Sequence, residues 1–151
     1  MSELEDEMQV EKRDGSYENV AFDKILNRVK ILGKENKLSN INYSGLIMKV
    51  IDQLYDKIPT TAIDELTAVQ CASMSTTHYD YYTLAGLIVI SNYQKNSNAS
   101  FYKCVEYLYI HTSGLISETY FKIVEKHKDY FESIIVDNRD KLIDFFGFKT
   151  L

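Results

Sequence analysis

Proline occurs once in 151 residues and glycine six times, which excludes a loop-dominated chain and favours helices joined by few irregular connections. Cysteine occurs twice, at Cys71 and Cys104, too few for a disulfide framework and without the spacing of a metal site. Both lie in helical, partly apolar runs and are expected to be buried free thiols in a reducing compartment, so the expected location is cytoplasmic. An excess of positive charge is also missing. The net charge is -5, which argues against a nonspecific nucleic-acid binder and requires any anion site to be a local basic cluster. The longest apolar run, 84–90, is too short to span a bilayer, and residues 1–7 are acidic where a leader peptide would be basic and then apolar. Tryptophan is absent while tyrosine occurs twelve times, a bias that carries no structural inference.

What is present is ordinary for one soluble domain with a proper core: 45% hydrophobic and 26% charged residues. The chain is organised around residues 8–25, MQVEKRDGSYENVAFDKI. This stretch reads as a short strand, a tight Asp14-Gly15 turn, a second strand and the entry to a helix, because both turn residues tolerate positive φ. Val10, Val20 and Phe22 are expected on one side, with Lys12 and Arg13 just before the turn. So short a hairpin is marginal alone and must lie on something.

The rest of the chain supplies helices. Residues 1–7, with Glu3, Glu5, Asp6 and Glu7, read as a disordered acidic arm that could fold back over Lys12 and Arg13. Phe22, Ile25, Leu26, Val29 and Leu32 recur at helical spacing, with Asp23, Lys24, Asn27, Arg28 and Lys30 on the other side and Gly33 as the stop. Residues 36–44 read as a loop. A second stripe follows at Leu46, Ile47, Val50, Ile51, Leu54 and Tyr55. Pro59-Thr60-Thr61 opens a third helix, where Thr61 and Asp64 resemble a capping box. That helix is expected to bury Ile63, Leu66 and Met74 and to end near 75–77. The fourth helix is apolar on all sides over 84–90, so it should be the central one, with Asn92, Gln94, Lys95 and Asn96 bringing it out to water. After a polar linker at 96–100, residues 101–111 and 117–135 read as two further helices, the second with Phe121, Val124 and Phe131 on one face. The fold class is mainly α (α+β): a small N-terminal β-hairpin lid on a four-helix bundle, followed by a helical extension.

A site for a phosphorylated ligand needs cations, backbone amides and an apolar slot. Lys12 and Arg13 supply charge, Arg as a fork and Lys as a point. Lys24 sits just inside the first helix and Lys95 at the end of the fourth. The edge 20–22 can cover a base, and Thr60 and Asp64 stand at a helix start. From composition and periodicity alone the same residues are more often a solvated basic surface and a pair of helix caps, and the reading stops at a soluble helical domain with a hairpin.

The run Lys12-Arg13-Asp14-Gly15 followed by Glu18, Val20, Phe22, Asp23, Lys24 and Ile25 at fixed spacing resembles the ATP-cone at the N-terminus of the large subunit of class I ribonucleotide reductase. The resemblance continues through 78–87, HYDYYTLAGL, through Ser91-Asn92 and Lys95, and to the closing FGFKTL of residues 146–151. It implies an ATP-cone over 8–98 and a helical extension over 99–151. It further implies a nucleotide site made of Lys12, Arg13, Glu18, Asn19, Val20, Ala21, Phe22, Asp23, Lys24, Thr60, Asp64 and Lys95. The effector would be ATP as activator or dATP as inhibitor, with Mg2+, and Asp64 is the expected relay of the missing 2′-hydroxyl. The function implied is allosteric control of deoxyribonucleotide synthesis for DNA replication, with other large subunits, a catalytic barrel chain and a small radical-bearing subunit as partners, and neither nucleic acid nor membrane. The family's barrel, with its catalytic cysteines, is not in these residues. The expectation is therefore a regulatory part, whether fragment or split gene, that is not catalytic on its own.

Departures from the family pattern are Pro59 before Thr60, Tyr79 for a proline, Gly86-Leu87 for Ala-Arg, and Asn98 where a second lysine is usual. Pro59 and Asn98 motivate the alternative, a degenerate interaction module that docks on a reductase without binding nucleotide. A zinc-ribbon transcription regulator would need paired C-x-x-C motifs, and the two cysteines exclude them.

Overall fold

The computed structural model describes residues 8–150; the expected acidic arm at 1–7 lies outside them. The chain forms two compact units, one running to Asn92 and resuming at Ile143, the other Tyr93–Leu142. Among the described residues no helix is long and apolar enough to cross a membrane.

The first unit opens with β1 (Gln9–Glu11) and β2 (Tyr17–Asn19), antiparallel with Val10 opposite Glu18. The expected hairpin is present, but only Gly15 uses positive φ, at +80°. Asp14 contributes its side chain instead, accepting from the amide and hydroxyl of Ser16 at 2.9 and 2.6 Å. The Gly15 amide donates to the Lys12 carbonyl at 2.9 Å, so the connection is a longer loop closed by an Asx turn. A third strand that periodicity does not reveal, β3 (Ile58–Pro59), pairs parallel to β1. Pro59 is tolerated there because β3 lies at the sheet edge, where no amide is required of it. Val10, Ile58, Val50 and Ile63 form a small apolar cluster beneath the sheet, with Val20 and Ile25 against it. Phe22, expected on that side, is instead 43% exposed, because it is the first residue of a helix.

Four helices complete the bundle: α1 (Phe22–Glu35), α2 (Tyr43–Ile51), α3 (Thr60–Ser73) and α4 (Tyr79–Asn96). Residues 84–90 of α4 are all buried, as an apolar run on every face requires. Leu84, Ala85, Ile88 and Val89 pack with Val29, Leu46, Ile47, Ala68 and Cys71 in the main core. Burial pushes the Cys71 thiol up to about 12, which makes it inert. Gly33 does not stop α1; it is buried two residues inside its end, and Asn36 is the C-cap. A Cβ at Gly33 would overlap the phenol of Tyr43, so its smallness serves packing rather than termination. α3 ends at Ser73, short of the expected 75–77. The closing helix α8 (Phe145–Thr150) returns to this unit, with Phe145 and Phe148 against the main core and Phe145 edge-on to Tyr82. Gly86 lies beneath it, where a Cβ would come within 3.3 Å of the Phe145 amide nitrogen.

In the second unit, α5 (Phe101–His111) coincides with its expected range. The single helix expected over 117–135 is broken into α6 (Glu118–Lys126) and α7 (Lys128–Ile134), because His127 adopts φ -115°, ψ 24°. The break lets both halves fold back on α5. Phe121 stacks on Tyr109 and Phe131 meets Phe101, while Val124 is buried. Cys104, expected buried, is partly exposed. Asn98 stands in the turn before α5, where its side chain accepts from the Ser100 amide at 3.1 Å. Ser100 caps α5, and Glu132 of α7 accepts from the Ser100 hydroxyl at 2.7 Å and the Tyr102 amide at 3.1 Å.

Two outcomes follow from this packing. Gly33→Ala should destabilise the chain although it favours helix by about 1 kcal/mol, because overpacking costs about 1–3 kcal/mol. Tyr43→Phe should be neutral or stabilising, since the buried Tyr43 hydroxyl has no hydrogen-bond partner among the described residues; denaturant melts of both variants decide. The Ser100 hydroxyl, then the backbone amides, hold the Glu132 carboxyl below its ordinary range. Its tie between α5 and α7 is therefore complete above about pH 4.3 and lost as pH falls through the lower folded value. Side-chain NMR titration should show this depression, and Glu132→Gln should abolish the acid-dependent loss of amide protection at the start of α5.

Candidate functional site

Within the first unit a cavity of about 150 Å³ lies between the sheet, α1, α3 and α4. Lys24, Ile25, Arg28, Val29 and Leu32 of α1 line it, and their i, i+1, i+4, i+5, i+8 spacing makes them one stripe of that helix. Val10, Glu18, Val20 and Ala21 come from the hairpin and the approach to α1, Thr60, Ile63, Asp64 and Thr67 from α3, and Ile88 from α4. The lining is therefore apolar over much of its surface, with charge confined to Glu18, Lys24, Arg28 and Asp64.

Those charges are arranged in two matching sets. Glu18 takes Lys12 at 2.5 Å and Lys24 at 2.7 Å. Asp64 takes Nη1 of Arg28 at 2.5 and 2.6 Å and Nη2 of Arg13 at 3.3 Å. Each carboxylate thus joins one residue of the adjacent pair Lys12-Arg13 to one of the i, i+4 pair Lys24 and Arg28. Hydrogen bonds from Lys12 and then Lys24 hold the Glu18 carboxyl below its usual range, and Glu18 in turn raises Lys12. The second set reaches α4: Arg13 Nη2 donates to Asn92 Oδ1 at 2.8 Å, and Arg28 Nη2 to Ser91 Oγ at 3.4 Å.

Two helix starts face the same cavity. The N-caps of α1 and α3 are Ala21 and Pro59, whose side chains cannot accept a hydrogen bond. The positive ends of both dipoles therefore lack the cap that a Ser, Thr or Asp would supply. The capping box expected from Thr61 and Asp64 does not form, because α3 already begins at Thr60 and the Asp64 carboxylate is turned to the arginines.

Six of the expected site residues line the cavity: Glu18, Val20, Ala21, Lys24, Thr60 and Asp64. Lys12 and Arg13 are outside its lining and join it through Glu18 and Asp64. Asn19, Phe22 and Asp23 are exposed and outside the lining. Lys95 lies in the last turn of α4 and belongs to the second unit. Sequence reasoning missed Arg28, which it placed on the outward side of α1; its position four residues after Lys24 was the available signal. It also placed Asn92 in water, whereas Asn92 is 7% exposed. Among the described residues no group of three or more His, Cys, Asp or Glu is placed to hold a metal ion.

A family model described as "ATP cone domain" matches residues 8–96. The ribonucleoside-diphosphate reductase large subunit of Dictyostelium discoideum is 40% identical, over 97% of this chain and 18% of its own length. The large chain of Schizosaccharomyces pombe is 38% identical over 95% of this chain and 19% of its own, and the large subunit of Monkeypox virus 38% over 95% and 20%. The chain spans about a fifth of the length of these curated relatives.

The unequal burial of the two carboxylate sets gives a stability contrast. The Asp64 side chain is 8% exposed, and its removal strands a largely enclosed arginine. Asp64→Asn should cost about 2–3 kcal/mol, lowering Tm by roughly 5–10 °C. Lys24→Ala, at a side chain 71% exposed, should stay within about 0.5 kcal/mol. Equal thermal shifts in the two variants would contradict the contrast.

Proposed function

Because the chain belongs to the ATP-cone family, we propose that its cleft binds a nucleoside triphosphate, ATP or dATP, as the allosteric effector of a ribonucleoside-diphosphate reductase large subunit. The observation that carries this reading is the convergence on one apolar cavity of two helix starts without side-chain caps and of two lining cations, Lys24 and Arg28, with Lys12 and Arg13 joined to it through Glu18 and Asp64. An apolar slot suits a base. The local excess of positive charge, with helix amides beside it, suits phosphates. Lys24, the first turn of α1 and Thr60 are the contacts proposed for the phosphates, with Lys12 and Arg13 closing from the loop. Val10, Val20, Ile25 and Ile63 are proposed for the base. Asn19, Phe22, Asp23 and Lys95 enter the proposed set on the family pattern. Among the described residues no carboxylate cluster is placed to hold a metal, so in this reading Mg2+ would arrive with the phosphates.

Asp64 acts in this reading through its arginines. Both its oxygens are engaged by Arg28, and one also by Arg13, so it senses the effector by how firmly it must share those cations. Arriving phosphates compete with Glu18 and Asp64 for the same groups, and occupancy therefore changes the ties between loop, α1 and α3. Control of association with other large subunits, and of coupling to a radical-bearing small subunit, would follow only where ATP and dATP differ in affinity between states.

Calorimetric titration of the chain with ATP and with dATP, each with magnesium, tests this. Saturable one-site binding of both is expected, tighter for dATP and weakened as salt rises. Lys24→Ala should lower both affinities roughly tenfold. An absence of heat up to millimolar nucleotide would overturn the reading and favour an interaction module.

A further inference from the structure

We propose that Arg28 is a specificity-determining residue that reads the hydroxyl edge of the effector's sugar; the inference rests on the nucleotide reading above. Arg28 stands in α1 four residues after Lys24, and Asp64 stands in α3 four residues after Thr60. All four line the same cavity. Lys24 and Thr60 are the contacts proposed for the phosphates. Four residues of helix advance about 6 Å. Along both helices the wall therefore passes from a phosphate contact to the Arg28–Asp64 pair over a distance of the order of one sugar ring.

Arg28 is unevenly used. Its Nη1 meets both Asp64 oxygens, at 2.5 and 2.6 Å, where a guanidinium commonly presents two nitrogens to two oxygens. Nη2 has one long contact, 3.4 Å to Ser91 Oγ, beyond the usual range of a hydrogen bond. Nε is buried and has no hydrogen-bond partner among the described residues. The fold thus leaves part of the donor capacity of Arg28 unspent, on a side chain that lines the cleft.

The carboxylate beside it decides what that capacity suits. Asp64 touches Arg28 through both oxygens and offsets much of its charge, and it would repel a phosphate laid against the pair. A hydroxyl is neutral, and it both donates and accepts. Nη2 offers it a donor and Asp64 an acceptor on one wall. Sugar hydroxyls answer this description at the depth that the two helices set. A nucleotide lacking the hydroxyl would leave those groups without it, which is how a polar site tells such analogues apart.

Calorimetry with ATP, dATP and 2′,3′-dideoxy-ATP, each with magnesium, tests this. The dideoxy nucleotide keeps the base and the phosphates and has neither hydroxyl. Arg28→Lys keeps a cation against Asp64 and removes the second arm of the fork. Arg28→Gln keeps a donor, and serves where the lysine variant melts early; melting curves accompany both. Either variant should lower ATP affinity roughly tenfold, the scale of one hydrogen bond from a charged donor, and leave the affinity for the dideoxy nucleotide unchanged. With dATP, an undiminished loss assigns the contact to the 3′-hydroxyl, and no loss assigns it to the 2′-hydroxyl. Equal losses for ATP and the dideoxy nucleotide, or no loss for either, would overturn the role of Arg28 and leave the nucleotide reading standing. A wild-type chain that binds none of the three overturns both.

Discussion

The pairing of Asp64 with Arg13 and Arg28 is the constraint on which the first unit depends. A carboxylate at 8% side-chain exposure is tolerable only when it is paired and hydrogen-bonded. The groups that pair with it come from the hairpin loop and α1, and those arginines are tied in turn to Ser91 and Asn92 of α4. One residue of α3 therefore fixes where three other elements must be. Strands of three residues make no stable hairpin by themselves. The sheet stays in place because Val10 and Ile58 are buried beneath it and because Arg13 anchors its loop to the bundle. The cavity is the space that remains between elements held by their charges at one end and by apolar contact at the other.

Most of the helices, the hairpin and the central place of α4 were legible from periodicity. The reason is local: the apolar stripes of α1 and α2, and the continuous run at 84–90, are properties of neighbouring residues. What escaped was what a neighbour distant in sequence decides. Gly33 reads as a terminator until Tyr43 is known to press on it. Asp64 reads as a cap because a carboxylate three residues after a threonine commonly is one, yet two arginines 51 and 36 residues away claim it. Asn92 reads as the start of a polar exit, and is buried because Arg13 meets it 79 residues earlier in the chain. The break at His127 has neither proline nor glycine to announce it, and it arises where α6 and α7 each fold against α5. For the site, Lys12, Arg13 and Lys24 were offered by their charge and place, and the whole segment from Glu18 to Lys24 by the family pattern; Arg28 was missed although it stands four residues after Lys24 on the same stripe.

The charges around the cleft also bear on ligand class. An acidic chain with net charge -5 repels anions over most of its surface, so a polyanion must find a place where the sign is locally reversed. Lys24 and Arg28 line the cleft, Lys12 and Arg13 join it through Glu18 and Asp64, and two helix starts add their dipoles. The carboxylates keep the cations ordered without cancelling them. In the proposed reading this is a form of preorganisation: the cations are already gathered, and a phosphate would compete with Glu18 and Asp64 rather than order flexible side chains from solvent.

That competition is also what would make the proposed site regulatory rather than merely binding. A phosphate that met isolated lysines would leave the fold unchanged. Here each carboxylate is shared between two cations, so drawing on Lys24 would alter the hold of Glu18 on Lys12, and drawing on Arg13 the hold of Asp64 on Arg28. The first exchange loosens or tightens the loop against α1, and the second does so against α3 and α4. Two effectors that differ by one hydroxyl need not touch different residues to have different consequences. They need only place their phosphates differently enough to divide these shared cations in different proportions, and the difference in affinity between conformations is then the free energy available for control.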